Sequence, residues 1–238
     1  MSHNGNVSKG AKPGHKNGWG ILAYKNNAIL DKKKSPTDAY SDKNYYKIAN
    51  KVSYKKTDLI LAHLRKASVG NSSIANTHPF IYKKYAFAHN GTIFNSEKIP
   101  LKDKYKKLLK GTTDSEKFFF YLIQLFEENK KNRRSMVSAI KKAILFSVGK
   151  LDYFSLTFLL TDGKFLWALR KYNSGNNQYR KYGFKKYYTL FEGVNDISKG
   201  KIISSEKIAS HDLKWKLFHN NELRQINLKT GEEKIINI

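Results

Sequence analysis

Tyr85-Ala86-Phe87-Ala88-His89-Asn90-Gly91-Thr92-Ile93 reads as an apolar strand that runs into a turn. Asn90-Gly91 is the turn-forming pair, and Tyr85 to His89 and Thr92-Ile93 flank it. An Asn-Gly pair at a strand end can aim one side-chain N–H and one backbone N–H at a single point, which is what a developing oxyanion needs. Downstream, Thr113-Asp114-Ser115-Glu116 fits a capping box, so a helix is expected to start there. An Asp in the first turn of a helix is held ionised by the helix dipole and can receive an ammonium group.

Working outward, Trp19 to Tyr24 and Ala28 to Leu30 flank Asn26-Asn27 and suggest a hairpin. A short helix is expected around Tyr45 to Val52, and Leu59 to Leu64 is apolar enough for a buried strand. The run from Glu116 to Asn129 is apolar almost all round, so the helix should be deeply packed. Arg134 to Val148 places Val137, Ile140, Ile144 and Val148 at spacings of three and four, a one-faced helix. Phe154 to Leu160 and Phe165 to Leu169 flank Asp162-Gly163, the strongest hairpin signal in the chain. Tyr187 to Phe191, Lys201 to Ser204, and a last hairpin around Thr230-Gly231 add further strand. Strands, two helices, then strands predict an α+β fold of two antiparallel sheets with helices packed on them. The 238 residues are expected to form one domain.

The chain has 45 Lys and Arg against 19 Asp and Glu, a formal net charge of +26. Such a balance invites a nucleic-acid reading, with Lys32-Lys33-Lys34, Lys130-Lys131 with Arg133-Arg134, and Arg180 to Lys186 as docking points. Only six of the 45 are Arg, the residue that base readout and phosphate clamping favour. A solvated basic surface is therefore the expectation, and a non-catalytic RNA-binding module the alternative. No apolar run reaches membrane-spanning length, and the N-terminus shows no signal-peptide core, so a cytoplasmic location is expected. There is no Cys, which excludes disulfides and thiolate metal sites, and the His spacing suggests no metal and no cofactor.

Polar residues interrupt apolar strands in four clusters: Gly14-His15-Lys16-Asn17-Gly18-Trp19-Gly20, Ala62-His63-Leu64-Arg65-Lys66-Ala67-Ser68, Asn76-Thr77-His78-Pro79-Phe80 and Ala88-His89-Asn90-Gly91-Thr92. An Arg closing a buried strand is costly unless it meets an anion. With Thr113-Asp114-Ser115-Glu116, the order and wording of these clusters resemble the class II glutamine amidotransferases, in particular the stand-alone branch. The resemblance implies a four-layer αββα N-terminal nucleophile hydrolase fold. It implies hydrolysis of glutamine, or of a related γ-glutamyl amide, to glutamate and ammonia or an amine, with a partner synthase subunit left open. It implies that Arg65 binds the substrate α-carboxylate, that Asp114 binds its α-ammonium, and that the Asn90 side chain and Gly91 backbone form the oxyanion hole. Ser68 and His78 are carried over as substrate-binding positions. Asn17 stands where the family pattern has Asp, which loses a charge and keeps hydrogen bonding.

The same resemblance exposes a departure. Family members begin, after Met removal, with a Cys whose thiol attacks the amide while the free α-amine acts as base. This sequence has no Cys, and His15 arrives after fourteen polar residues rather than after an apolar first strand. An N-terminally incomplete domain accounts for both absences with one cause. The competing expectations are a pseudoenzyme that keeps the pocket, and a chain in which Ser2 replaces the Cys. His63 and His89 are expected to be packed, hydrogen-bonded core residues rather than catalysts.

Overall fold

A computed structural model describes residues 14–131, 135–175, 184–195, 200–208 and 212–238. The first hairpin forms as expected: β1 (Trp19–Lys25) pairs antiparallel with β2 (Ala28–Ser35). Asn26 and Asn27 both take positive φ, the conformation a two-residue hairpin turn demands and Asn tolerates. Helix α1 (Lys43–Ser53) follows, then β3 (Leu59–Leu64), which pairs with the other edge of β1. This first sheet has the order β2-β1-β3.

The centre of the molecule is a six-stranded antiparallel sheet. It uses β4 (Phe80–Tyr82), β5 (Tyr85–Asn90), β6 (Thr157–Thr161), β7 (Phe165–Arg170), β11 (Glu222–Asn227) and β12 (Glu233–Asn237), in the order β12-β11-β7-β6-β5-β4. A third sheet, β10-β8-β9, is built from β8 (Phe191–Asn195), β9 (Lys201–Ser204) and β10 (Leu213–Leu217). Between β5 and β6 lie the short α2 (Asp103–Lys106) and the long α3 (Asp114–Lys131) and α4 (Met136–Lys150).

Strand alternation assigns the layers. On one face of the central sheet, Phe87, Phe158, Leu160, Trp167 and Leu169 pack with Phe118, Phe119, Leu122 and Ile123 of α3 and with Ile140 and Ile144 of α4. Phe87 and Phe119 stack at 5.4 Å. Burying each such ring contributes about 1.5–3 kcal/mol, so this is the dominant core. On the other face, register places Ala88, Leu159, Ala168 and Arg224 in one row across β5, β6, β7 and β11. Ala86 and Ala88 meet Leu22, Tyr24 and Leu61 of the first sheet, and Ala168 meets Leu190 and Phe218 beside the third. Trp19, Ile21 and Ala23 point the opposite way from Leu22 and pack with Val52 of α1. The order is therefore helices, central sheet, two smaller sheets, helix α1: the expected αββα layering.

Four details differ from the sequence expectation. The second β-layer is divided into two separately hydrogen-bonded sheets. β3 is an edge strand with Ile60 42% exposed, not a fully buried strand. On α4 the buried stripe is Met136, Ala139, Ile140, Ala143, Ile144 and Ser147, while Val148 is exposed. Small residues at spacing four let α4 approach closely, a signal that large apolar anchors do not carry. Tyr187 to Leu190 form no strand: Phe184–Tyr187 is a helical turn, Leu190 packs on Ala168, and the strand starts at Phe191.

Of the basic clusters, Lys32 and Lys33 are exposed on β2, but Lys34 turns inward. Its Nζ donates to the Thr77 carbonyl at 2.5 Å and lies over the Phe80 ring, and burial lowers its pKa to about 8. Arg133, Arg134, residues 180–183, Ser2 and the side chains of Lys130, Lys131 and Lys185 lie outside the described residues.

Candidate active site

The motif clusters converge on one cavity of about 850 Å³. Its floor is the central sheet at Ala88, His89, Asn90, Thr157, Phe158 and Leu159. One wall is β3, running into Arg65 and Ser68; the other is β9 with Ser204 and Ser205. Among the described residues β3 and β9 are both outer strands of their sheets, so two free edges flank the same space. Such edges present unpaired N–H and C=O groups.

At one end of this cavity lie the residues expected to act. β5 delivers Asn90 and Gly91 at its C-terminal end. Among the described residues neither the Asn90 side chain nor the Gly91 N–H has a hydrogen-bond partner, and both line the cavity. Gly91 must be glycine, because an added Cβ would overlap the Ser155 carbonyl oxygen and crowd the His89 ring. Asp114 opens α3 and is 3% exposed. Its Oδ2 accepts the Ile93 N–H at 2.7 Å, and Oδ1 accepts none among the described residues. The capping box forms in a modified way: the Thr113 hydroxyl accepts from the Glu116 N–H, but the Glu116 carboxylate accepts from the N–H groups of Lys110 and Gly111. That fastens the preceding loop to the helix start and leaves Asp114 free of the capping task.

Arg65 ends β3 and is 3% exposed. Its Nη1 and Nη2 donate to the carbonyls of Asn71, Val69 and Gly70 at 2.8–3.2 Å. Burial lowers its pKa and the nearby Asp114 charge opposes that shift. The guanidinium thus rolls up the loop after β3 and lines the cavity without forming a salt bridge to Asp114. Ser68 accepts from the Thr92 hydroxyl at 3.0 Å, tying that loop to the Asn90-Gly91 turn. Asn17 accepts from the Ala67 N–H at 3.0 Å, so the residue that replaces Asp keeps a structural bond.

His78 is 5% exposed and stacks on His63 with ring centroids 4.2 Å apart. Among the described residues both ring nitrogens of His78 and Nδ1 of His63 lack partners. Burial lowers the pKa of both, that of His63 to about 3. Gly20 admits this pair, since a Cβ there would overlap the His78 carbonyl oxygen. His89 is hydrogen-bonded through both nitrogens, as expected of a packed core His; His63 is packed but not satisfied. Among the described residues no group of His, Asp and Glu is arranged to hold a metal ion. Sequence reading missed the far wall of Tyr187, Tyr188, Leu190, Ile202 and Ile203, because those residues come from β9 and from the helical turn and loop before β8 and carry no motif.

The family model of class-II glutamine amidotransferases matches residues 1–227. The chain belongs to that family. An uncharacterized protein of Methanocaldococcus jannaschii is 32% identical over 92% of this chain. The chain spans 62% of that protein's length, and 48% of a Haemophilus influenzae relative's. Among solved structures, the glutamine aminotransferase class-II domain protein of Silicibacter pomeroyi is similar at a TM-score of 0.66, with 17% identity over 94% of this chain and 96% of that one. The glutamine phosphoribosylpyrophosphate amidotransferase of Bacillus subtilis is similar at 0.63, with 16% identity, covering 93% of this chain and 43% of that one. At these identities the likeness is one of fold, the N-terminal nucleophile hydrolase fold of this amidotransferase family. Among the described residues no helix is long and apolar enough to cross a membrane.

Proposed function

We propose that this domain binds L-glutamine, or a related γ-glutamyl amide, and holds its side-chain amide for hydrolysis to glutamate and ammonia or an amine. One observation carries the reading. The Asn90 amide, the Gly91 N–H and the Asp114 Oδ1, all without partners among the described residues, belong to residues that line one cavity together with Arg65. Asp114 would receive the α-ammonium, Arg65 the α-carboxylate, and Asn90 with Gly91 the carbonyl oxygen as it gains charge. Ser68 and His78 would bound the same pocket. Open donors and acceptors of this kind, with Asp114 buried and Asn90 and Gly91 half-buried, cost stability, and a zwitterionic ligand would repay that cost.

The attacking atom is not in the sequence as given, which has no Cys. The two free edges of β3 and β9 support a position for it: a strand between them would join the two smaller sheets and bring a nucleophile over Asn90-Gly91. On this reading the 238 residues form one amidotransferase unit. Its ammonia acceptor would be a partner synthase, or its substrate a γ-glutamyl amide that needs none.

Two measurements test the proposal. L-Glutamine should raise the thermal midpoint of the chain, and Arg65→Ala and Asp114→Ala should each abolish that shift. A chain extended upstream with an apolar, Cys-led strand should release ammonia from glutamine. Absence of both effects rejects the reading. Activity of the chain as it stands, lost in Ser2→Ala, would instead assign the nucleophile to Ser2.

A further inference from the structure

We propose that His89 is a positioning residue that sets the Asn90-Gly91 donors against Asp114 through one fixed neutral tautomer; this rests on the glutamine reading. The His89 ring is 3% exposed, beside Phe87 and Phe118 at centroid distances of 6.0 and 6.1 Å. Its Nε2 lies 3.1 Å from the Ser155 carbonyl oxygen. A carbonyl only accepts, so Nε2 carries the proton. Nδ1 is then an acceptor, and the Ser115 hydroxyl 2.9 Å away donates to it. A protonated ring would leave that hydroxyl facing a donor, and burial disfavours protonation.

The three groups on this relay belong to three pieces of the site. Ser115 follows Asp114 in the first turn of α3. His89 precedes Asn90 at the end of β5. The Ser155 carbonyl leads into β6 and is the atom against which the Gly91 α-carbon rests. Ser155 is itself fixed, since its hydroxyl donates to the Lys171 carbonyl at 3.0 Å and accepts from the Thr157 N–H at 3.0 Å. One imidazole thus ties the oxyanion donors to the ammonium acceptor across two strands and a helix start.

The mild variant for the test is Ser115→Ala, with Ser115→Thr as the rescue, in the full chain. Calorimetry would compare L-glutamine with L-norvaline, which has the α-groups and lacks the amide. Loss of one net hydrogen bond predicts glutamine affinity falling about three- to tenfold in Ser115→Ala, norvaline affinity unchanged within about twofold, and Thr restoring most of the loss. A purely structural role would weaken both ligands alike. Two readouts need no ligand. Long-range nitrogen–proton NMR should show the His89 proton on Nε2, and exchange of the Ile93 N–H that Asp114 holds should speed up about tenfold in Ser115→Ala while α4 is unchanged. A proton on Nδ1, or unchanged Ile93 exchange, overturns the proposal even if glutamine binds. Failure of glutamine to bind the unaltered chain counts against the glutamine reading, and the NMR and exchange results then decide the relay by themselves.

Discussion

Two regions of the second β-layer bury charged side chains, and they treat them in opposite ways. Where the third sheet meets the central one, Arg224 is 2% exposed and pairs with Glu192 at 2.6 Å, Glu222 at 2.5 Å and Glu233 at 2.9 Å, while Lys201 pairs with Glu192 and Glu233. Two cations thus face three carboxylates, and their pairs pin β8 and β9 to β11 and β12. At the cavity, Arg65 and Asp114 are equally buried but are held apart, each by backbone groups, with acceptor and donor atoms left open between them. The first arrangement pairs each of its charged side chains within the chain and leaves only the Arg224 Nη2 without a partner among the described residues. On the proposed reading, a ligand carrying both charges completes the second. What separates the two regions is charge pairing within the chain, not burial.

Substitutions can break this contrast. Arg224→Ala leaves Glu222 without an ionic partner and Glu192 and Glu233 with Lys201 alone, and should cost about 3–5 kcal/mol in urea unfolding, with the glutamine affinity of the remaining folded protein unchanged. A loss under about 1 kcal/mol would mean that the network is not closed. Asp114→Asn should do the reverse. It keeps an acceptor for the Ile93 N–H, so stability should hold, while loss of the charged bond weakens glutamine by about 1.5–3 kcal/mol, roughly ten- to a hundredfold by calorimetry.

Acidification should sharpen the comparison from the side of the unpaired histidines. His63 and His78 stay neutral in the fold because burial lowers their pKa values, that of His63 from 6.5 to about 3. Below pH 6.5 the unfolded chain takes up protons that the folded chain refuses, so stability should fall from there toward pH 3, by up to about 1.4 kcal/mol per pH unit for each ring. The Glu192 carboxylate, held below its usual 4.5 despite burial by bonds to Lys201 and Arg224, loses its stabilising charge only beneath that value. Urea midpoints between pH 6.5 and 5 therefore isolate the histidines, and His78→Phe should flatten the slope. The smallest effect belongs to Asn90→Ala. With no side-chain partner among the described residues, its loss should leave unfolding unchanged, and should reduce glutamine affinity by about 0.5–1.5 kcal/mol while norvaline is unaffected.

Local chemistry made much of this legible in advance. Asn26-Asn27 and Asp162-Gly163 were readable as hairpin turns because their conformations are set by the residues themselves. The Thr113 cap and the all-round apolar run after it were readable for the same reason. The packing face of α4 was not, because Ala139 and Ala143 become contacts only when α3 lies against them. Nor was the edge position of β3, since an apolar hexamer reads the same whether one or both of its sides are paired.

By itself the sequence determined the family, through five motifs in fixed order, and with it the candidate residues Arg65, Asn90, Gly91 and Asp114. It also determined that the thiol nucleophile of the family is absent from these 238 residues. Only the tertiary structure decided which polar atoms are spent and which remain open. Sequence lists donors and acceptors one residue at a time. Whether Glu116 or Asp114 caps the loop, whether His89 or His78 is satisfied, and whether Arg224 or Arg65 finds carboxylates depend on what other strands and helices bring within about 3 Å.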